Sequence, residues 1–492
     1  MQTQLLTVRP QEAKRLEATY RVVRRSIDAR QRDIKVNLTL LADDKGNFVP
    51  REAPIPLYEP PHFVDVTGKS DAPKVHIIGA GPAGLFAALT LLEHGLKPIV
   101  FERGKPVSER KRDIAQLNRN IAFNPESNYC FGEGGAGTFS DGKLFSRSKK
   151  RGNMQRVMEL FHHFGAPDTV LYEAHAHIGS DKLPRIIQNM RECILAHGGE
   201  IHFNTCIDIS RFDAEGLPTI VAIGHSAHDT YRLLDKVGVA LEAKGFAMGV
   251  RAEHPQELIN SLFYHNVSRE EVELLGNASY SLVTQVNGHG VYSFCMCPGG
   301  HIVPAGSSED GCVVNGMSAS HRNSPFANSG MVVELHYGGQ AMQVLDYQED
   351  FERLAKQHGG VGLQAPAQRM GDFVEGRHSS NLPECSYLPG IVSSRMDEWL
   401  PEPIRSCLKR GFRDFDRKYH GFLTNEAVIV GVESRSSSPI RMVRDTDTLQ
   451  SVSHPWIYPC GEGAGYAGGI TSSALDGINA ALKIVEKYGK SV

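Results

Sequence analysis

The chain has 492 residues, of which 41% are hydrophobic and 22% charged, as in an ordinary globular protein of two or three lobes. Its formal net charge of −3 gives no reason to expect nucleic acid as the main ligand. The nine cysteines include no CxxC pair, which favours a cytoplasmic protein. The sequence also lacks an apolar leader and any run of about 18 consecutive apolar residues, so we expect a cytoplasmic protein with no membrane partner. The histidines lack metal-ligand spacing, so no metal is expected.

Residues 1–70 have the pattern of a small α+β appendage followed by a linker. TQLLTV, VVRRSI and IKVNLTLLA predict strands, with a short helix over 11–18 between the first two. Five prolines in PREAPIPLYEPP (50–61) exclude both a helix and a central strand, and so predict the linker.

A complete βαβ pattern follows in KVHIIGAGPAGLFAALTLLEHGLKPIVFERG (74–104). In its GxGxxG motif, Gly79 is expected to form the turn, Gly81 to let a pyrophosphate approach the backbone, and Gly84 to allow close packing of helix and strand. Glu102, at the end of the second strand, is expected to accept hydrogen bonds from ribose hydroxyls. The pattern favours FAD over NAD. The cofactor contacts predicted here are Gly79, Gly81, Pro82, Ala83, Gly84, Glu102 and Arg103.

A second glycine-rich stretch, YPCGEGAGYAGGITSS (458–473), lies near the end of the chain. Glycine is costly in ordered backbone and is kept where φ is positive or a ligand approaches closely. The stretch predicts a strand, a loop along the ribityl chain of FAD, and a helix from Thr471 whose N-terminus faces the flavin N1–C2=O edge. The predicted contacts are Gly461, Glu462, Gly468, Gly469 and Ile470. A loop that packs only against protein is the alternative.

A third stretch, CFGEGGAGTFSDGK (130–143), lacks the strand–turn–helix context of a dinucleotide fingerprint. It predicts a loop over the pyrophosphate or the flavin ring, with contacts from Gly134, Gly135 and Thr138. A purely structural cluster of turns is the alternative.

The chain resembles the bacterial FAD-dependent dehydrogenases of unassigned substrate, the NAD(FAD)-utilising dehydrogenases. The motifs that carry the resemblance include RRSIDARQRDIKVNL (24–38), GAGPAGL (79–85), CFGEGGAGTFSDGKL (130–144), AIGHSAHDTY (222–231), CMCPGG (295–300) and SSPIRMVRD (437–445). The resemblance covers nearly the whole chain past residue 20. It implies noncovalent FAD, an α/β flavoprotein fold and a redox role.

Candidates for substrate chemistry are less specific. His225 and Ser226 follow the buried strand TIVAIG at a carboxyl end of the sheet, where a histidine can exchange protons near neutral pH; a structural hydrogen bond is the alternative. Arg251, with His254, is a candidate for holding an anionic substrate, against the alternative of a surface ion pair. The CMC segment (295–297) predicts packing thiols.

The predicted architecture is a Rossmann-like FAD-binding α/β fold with an inserted substrate lobe. Its segments are the appendage and linker (1–70), the first part of the FAD domain (71–240), the substrate-facing lobe (241–425) and the closing FAD segment (426–492). The predicted function is hydride transfer between a small organic molecule and flavin N5, with NAD(P)H as a transient electron donor. A flavin monooxygenase and an RNA-modifying or purely binding flavoprotein are the alternatives.

Overall fold

A computed structural model describes residues 2–53, 58–145, 152–208, 216–265 and 267–489. The strands are β1 Gln2–Val8, β2 Val22–Asp28, β3 Lys35–Ala42, β4 Lys74–Ile78, β5 Lys97–Phe101, β6 Glu200–His202, β7 Thr219–Val221, β8 Leu241–Ala243, β9 Phe246–Pro255, β10 Val283–Val286, β11 His289–Cys297, β12 His301–Pro304, β13 Val314–Met317, β14 Phe326–Leu335, β15 Ala365–Arg369, β16 Ile391–Ser393, β17 Val428–Glu433, β18 Ile440–Met442 and β19 Ile457–Pro459. The helices are α1 Pro10–Thr19, α2 Pro82–Glu93, α3 Val107–Asn118, α4 Met154–His163, α5 Leu183–Ala196, α6 His228–Lys236, α7 Gln256–Phe263, α8 Arg269–Leu275, α9 Ala341–Gln357, α10 Met370–Glu375, α11 Met396–Trp399, α12 Ile404–Lys418 and α13 Ile470–Tyr488.

The N-terminal unit is an antiparallel sheet in the order β1–β3–β2, with α1 between the first two strands. Along β3 the buried side chains of Val36, Leu38 and Leu40 alternate with partly exposed ones, as expected for a strand with one covered face. The predicted strands and helix of this unit are confirmed. Part of the predicted proline-rich linker (54–57) lies outside the described residues.

The cofactor-binding half is built on a parallel sheet in the order β19–β7–β4–β5–β6. Its central strands are buried along almost their whole length, which is the pattern of a sheet covered on both faces. The strand–turn–helix–strand order of β4, α2 and β5 confirms the predicted Rossmann-like fold. The edge strand β6 is short and ends at His202.

Two glycines allow the helices of this half to pack closely. A Cβ at Gly84 would lie 1.9 Å from the carbonyl oxygen of Gly79, and a Cβ at Gly477 would lie 2.0 Å from that of Ala83. A side chain at Gly84 would therefore push α2 away from the turn at Gly79, and one at Gly477 would push α13 away from α2.

The second lobe is built on a mostly antiparallel sheet in the order β10–β11–β14–β9–β17–β15–β16. β17 pairs with β9 and β15 inside this sheet, so the boundary predicted at residue 426 is too early and the closing cofactor segment begins after Glu433. Of the helices described, none is long and apolar enough to cross a membrane.

Candidate functional site

The N-terminus of α2 opens on the predicted fingerprint turn. Gly79 has a φ of +104°, which a residue with a side chain rarely adopts, and Gly81 is the residue that precedes the helix. Among the described residues no side chain caps α2, and its first turn carries no acidic residue. In the part of the chain that the structure describes, the nearest heavy atom to a Cβ at Gly81 would be Cα of Gly135, at 3.8 Å. This helix end is therefore open to an anion that its first N–H groups can bind.

Glu102 is buried at the end of β5 and joins two other loops to this turn. One carboxylate oxygen accepts from the backbone N–H of Ala80 at 2.9 Å, and the other accepts from those of Gly104 and Gly132 at 2.9 and 3.0 Å. A carboxylate has about four acceptor sites. One site remains for the ribose hydroxyl that the sequence predicts, so the ribose contact stays a prediction.

The glycine loop at 130–143 packs directly on the fingerprint turn. The Gly134 amide donates to the Ala80 carbonyl at 2.8 Å, and a Cβ at Gly135 would lie 3.1 Å from Cα of Gly81. A Cβ at Gly137 would lie 3.1 Å from Cγ1 of Ile470. The loop thus connects the α2 turn to the start of α13, as expected for a segment that lies over the cofactor.

The hydroxyl of Thr138 does not face outward from this loop. It is buried and donates to the carbonyl of Glu133 at 2.9 Å. We therefore assign Thr138 to closure of the loop rather than to the direct cofactor contact that the sequence suggested.

Arg110, which the sequence reading did not select, organises the same loop from α3. Its buried guanidinium donates to the carbonyls of Asn128, Tyr129, Gly132, Glu133 and Gly135, at 2.8 to 3.2 Å. Burial lowers the pKa of Arg110 to about 10. The sequence signal for a buried Arg110 is its helical spacing from Val107, Ile114 and Leu117, because these residues share one buried face of α3.

The terminal glycine loop is fixed to its surroundings on two sides. The Gly461 amide donates to Asp476 at 2.8 Å, and Asp476 pairs with Arg444 at 2.7 Å. The hydroxyl of Tyr231 lies 2.9 Å from the carbonyl oxygen of Gly224 and 2.6 Å from that of Gly463. The loop therefore lies against the carboxyl end of β7.

Open space lies beside Gly468 and Gly469, where α13 begins. A Cβ at either glycine would meet no heavy atom of the described residues within 4 Å. The helix starts at Ile470, one residue before the predicted start, and within the described part of the chain no side chain caps it. Thr471 does not cap the helix, because its hydroxyl donates to the Leu144 carbonyl at 2.7 Å.

His225 and Glu462 come together between β7 and the terminal loop. Nε2 of His225 lies 3.7 Å from Oε1 of Glu462. Burial lowers the pKa of His225 to about 3, and the Arg435 guanidinium adds to this effect. Burial also raises the pKa of Glu462 to about 7, against the opposing effect of the Lys244 ammonium. His225 is therefore neutral, and it lies beside a predicted cofactor contact rather than in a separate substrate site.

Because of Glu462, the unfolding free energy of the apoprotein is expected to fall as the pH rises. Its folded pKa of about 7 lies above the ordinary value of 4.5, so the folded state keeps a proton that the unfolded chain loses between these values. We expect a loss of about 3 kcal/mol of unfolding free energy between pH 4.5 and pH 7. Urea unfolding of wild type and Glu462→Gln across this range measures this loss, and parallel pH profiles of the two proteins would show that the pKa of the carboxyl is not raised.

Ser226 and Arg103 line a cleft of about 360 Å³ between the two lobes. The Arg103 guanidinium pairs with Glu126 at 2.7 Å and with Asp229 at 2.9 Å, and it lies 4.2 Å from the ring centroid of Phe131. Arg103 thus holds the wall of the cleft, and a direct contact to FAD stays a prediction.

Arg251 lies in the core of the second lobe and cannot hold a substrate as predicted. Its five N–H groups are taken by side chains of Asn328, Asn315, Glu433 and Cys297 and by the carbonyl of Cys295. His254 is likewise buried, with Nε2 2.9 Å from the Phe422 carbonyl. Both residues stabilise the interior of the sheet.

Three family models match this chain. They are an FAD binding domain at residues 74–128, an FAD-dependent protein, C-terminal domain-like model at 245–436, and a domain of unknown function (DUF8436) at 4–43. The first contains the fingerprint turn and Glu102. The second coincides with the lobe built on the seven-stranded sheet and also places the lobe boundary after β17.

Relatives are found among sequences and among solved structures. An "uncharacterized protein" of Clostridium beijerinckii is 40% identical over 95% of this chain and 92% of its own length. Solved structures include the flavin-dependent halogenase CmlS, with 13% identity, TM-score 0.33 and coverage of 85% of this chain and 60% of its own. Mycobacterium smegmatis Sdh1 in complex with UQ1 has 15% identity, TM-score 0.32 and coverage of 85% and 69%. These low scores carry no argument about the reaction.

The matched FAD-binding domain confirms the predicted cofactor. The similarity to the Clostridium beijerinckii protein extends over nearly the full length of both chains. The chain is an FAD-binding flavoprotein and belongs to the family that includes this clostridial protein.

Proposed function

We propose that the protein is an FAD-dependent oxidoreductase that transfers hydride between a small organic substrate and the flavin. The observation that carries this proposal is the meeting of three glycine-rich segments, distant in sequence, around the N-termini of α2 and α13. FAD, when bound, supplies the hydride chemistry. The protein contributes binding, orientation and control of charge.

The residues present fit each part of an extended FAD molecule. The open N-terminus of α2 at Gly81 suits the pyrophosphate, and the remaining acceptor site of Glu102 suits a ribose hydroxyl. Glu462, with neutral His225 beside it, suits a ribityl hydroxyl. The uncapped start of α13 next to Gly468 supports negative charge on the flavin, since a helix end carries about half a positive charge.

A nicotinamide cofactor would bind only transiently. In the described ranges the single fingerprint with a strand before it and a helix after it is the turn at 79–84. The glycines at 359–362 instead follow the end of α9 and precede β15. We propose that NAD(P)H acts as a short-lived electron donor without a dedicated domain.

Anaerobic mixing of the FAD-loaded protein with a library of small metabolites tests the function. We expect at least one compound to bleach the flavin absorbance near 450 nm, and the oxidised product to appear in equal amount. A flavin that dithionite reduces but no metabolite bleaches would contradict the proposal and indicate a binding protein. Substrate hydroxylation coupled to oxygen consumption would indicate a monooxygenase instead.

A further inference from the structure

The cleft between the two lobes, which we call the inter-lobe cleft, has a volume of about 360 Å³, in the range of pockets for small molecules. One wall comes from the cofactor-binding half and includes Ser226, His228 and Asp229, in the loop after β7 and the first turn of α6. The facing wall comes from the second lobe and includes Glu349 of α9 and Asp310 of the loop between β12 and β13. A ligand in this cleft would therefore contact both lobes.

His228 carries a buried ring nitrogen that has no hydrogen-bond partner within the described residues. The residue is 8% exposed, and its Nδ1 lies 2.9 Å from Oε1 of Glu349. The hydrogen bond from His228 lowers the pKa of Glu349 to about 2, so this carboxylate is ionised and can only accept. The ring hydrogen that Glu349 accepts is therefore on Nδ1. Nε2 is the unpartnered atom, and a buried polar atom of this kind favours a ligand that supplies its partner.

Carboxylates outnumber cations along the lining of the inter-lobe cleft. The lining holds five carboxylates and three guanidinium groups, namely Glu126, Asp229, Asp310, Glu349 and Glu352 against Arg103, Arg353 and Arg435. A second proton on His228 would add one positive charge and would still leave the carboxylates in excess. The charged residues that pair with the lining do not reverse this balance, because Arg232 is matched by Asp346, and Asp350 adds a further carboxylate beside Arg353.

The carboxylates are also the more accessible charged groups of this lining. The side chains of Glu126 and Asp229 are 47% and 58% exposed, whereas the Arg103 side chain that they hold between them is 15% exposed. Of the other two guanidinium groups, Arg435 is 5% exposed and Arg353 is 46% exposed. A ligand therefore meets more acceptors than donors, which favours a cation and disfavours a phosphate group.

The inter-lobe cleft borders the cofactor site but has a different chemistry. Arg103 directly follows Glu102, to which we assign the ribose, and Ser226 directly follows His225 along the chain. The cofactor site offers the N–H groups at the start of α2, which suit an anion. The cleft offers carboxylates and the unpartnered Nε2. The two sites therefore suit ligands of opposite charge.

We propose that the inter-lobe cleft is a second ligand site of this protein, and that its ligand is a small organic amine whose ammonium group donates to Nε2 of His228. The surrounding carboxylates, Asp310 among them, strengthen the binding by charge attraction. Binding of the amine needs no turnover, so it is tested independently of the proposed oxidoreductase reaction.

Calorimetric titration of the FAD-loaded protein with benzylamine and with putrescine tests the site. The titrations are made at constant ionic strength and at about pH 8, where an ordinary imidazole is neutral and an alkylamine is still charged. Benzyl alcohol is the neutral control of nearly the same shape as benzylamine, and benzoate is the anionic control. We expect at least one of the two amines to bind with a Kd of millimolar or below, and both controls to bind much more weakly.

Two variants and one matched control locate the bound amine. His228→Asn keeps a donor for Glu349 but lacks Nε2, and it is expected to weaken amine binding at least tenfold. Asp310→Asn removes an exposed carboxylate that has no ion-pair partner among the described residues, and it is expected to weaken binding several-fold. Glu309→Gln removes the same charge from the neighbouring exposed residue, outside the lining of the cleft, and is expected to leave the Kd nearly unchanged. Thermal melting checks that each variant is folded.

Three results would overturn the proposal. The first is no binding of either amine, or equal affinity of wild type, His228→Asn and Asp310→Asn. The second is equal affinity for benzyl alcohol and benzylamine, which would show that the ammonium group is not recognised. The third is binding of the amines to the apoprotein that added FAD displaces, which would assign the inter-lobe cleft to the adenosine of the cofactor.

Discussion

Gly81→Val is expected to abolish FAD retention while leaving the protein folded. The backbone at Gly81 has a φ of −76°, which any residue adopts, and a Cβ there meets nothing closer than 3.8 Å. The added methyl groups would instead occupy the approach to the α2 N-terminus, where we place the pyrophosphate. We expect the Kd for FAD to rise at least 100-fold, with a smaller rise for Gly81→Ala.

The matched control is Gly84→Val in the same turn. Its Cβ would lie 1.9 Å from the Gly79 carbonyl oxygen, so this change is expected to destabilise the fold itself. Calorimetric FAD titration and thermal melting of both variants separate the two effects. Full FAD occupancy in folded Gly81→Val would show that the pyrophosphate does not lie on this turn.

Arg110→Met is expected to destabilise the protein by about 4 kcal/mol, because it leaves a set of buried carbonyl oxygens without donors. These carbonyls fix the loop that packs on Gly81, so FAD affinity is expected to fall as well. Arg112→Met is the control, since Arg112 lies on the exposed face of the same helix. Urea unfolding measures both, and equal stability of the two variants would contradict the assigned role of Arg110.

Local patterns predicted the cofactor half of the fold well. β4, α2 and β5 lie in the predicted order within the βαβ segment 74–104, because strand apolarity, glycine and helix start signals all act over a few neighbouring residues. The three glycine-rich segments were also found in this way, since glycine in ordered backbone costs conformational entropy and each cluster of glycines is visible in the local sequence. Their convergence on one site followed from the extended shape of FAD.

Long-range pairing and side-chain direction were not predictable in the same way. β17 reads as a strand of either sheet, and only its hydrogen bonds to β9 assign it to the second lobe. Arg251 was predicted to hold an anionic substrate and Arg110 was not selected, because arginine is seldom buried; in the structure both guanidinium groups have partners in the interior.

A crystal structure of the FAD-loaded protein tests the cofactor site most directly. We expect the pyrophosphate to lie on the first-turn amides of α2 beside Gly81, with the flavin ring at the start of α13 beside Gly468 and Gly469. A flavin located in the cleft lined by Ser226, or a pyrophosphate bound away from α2, would contradict it.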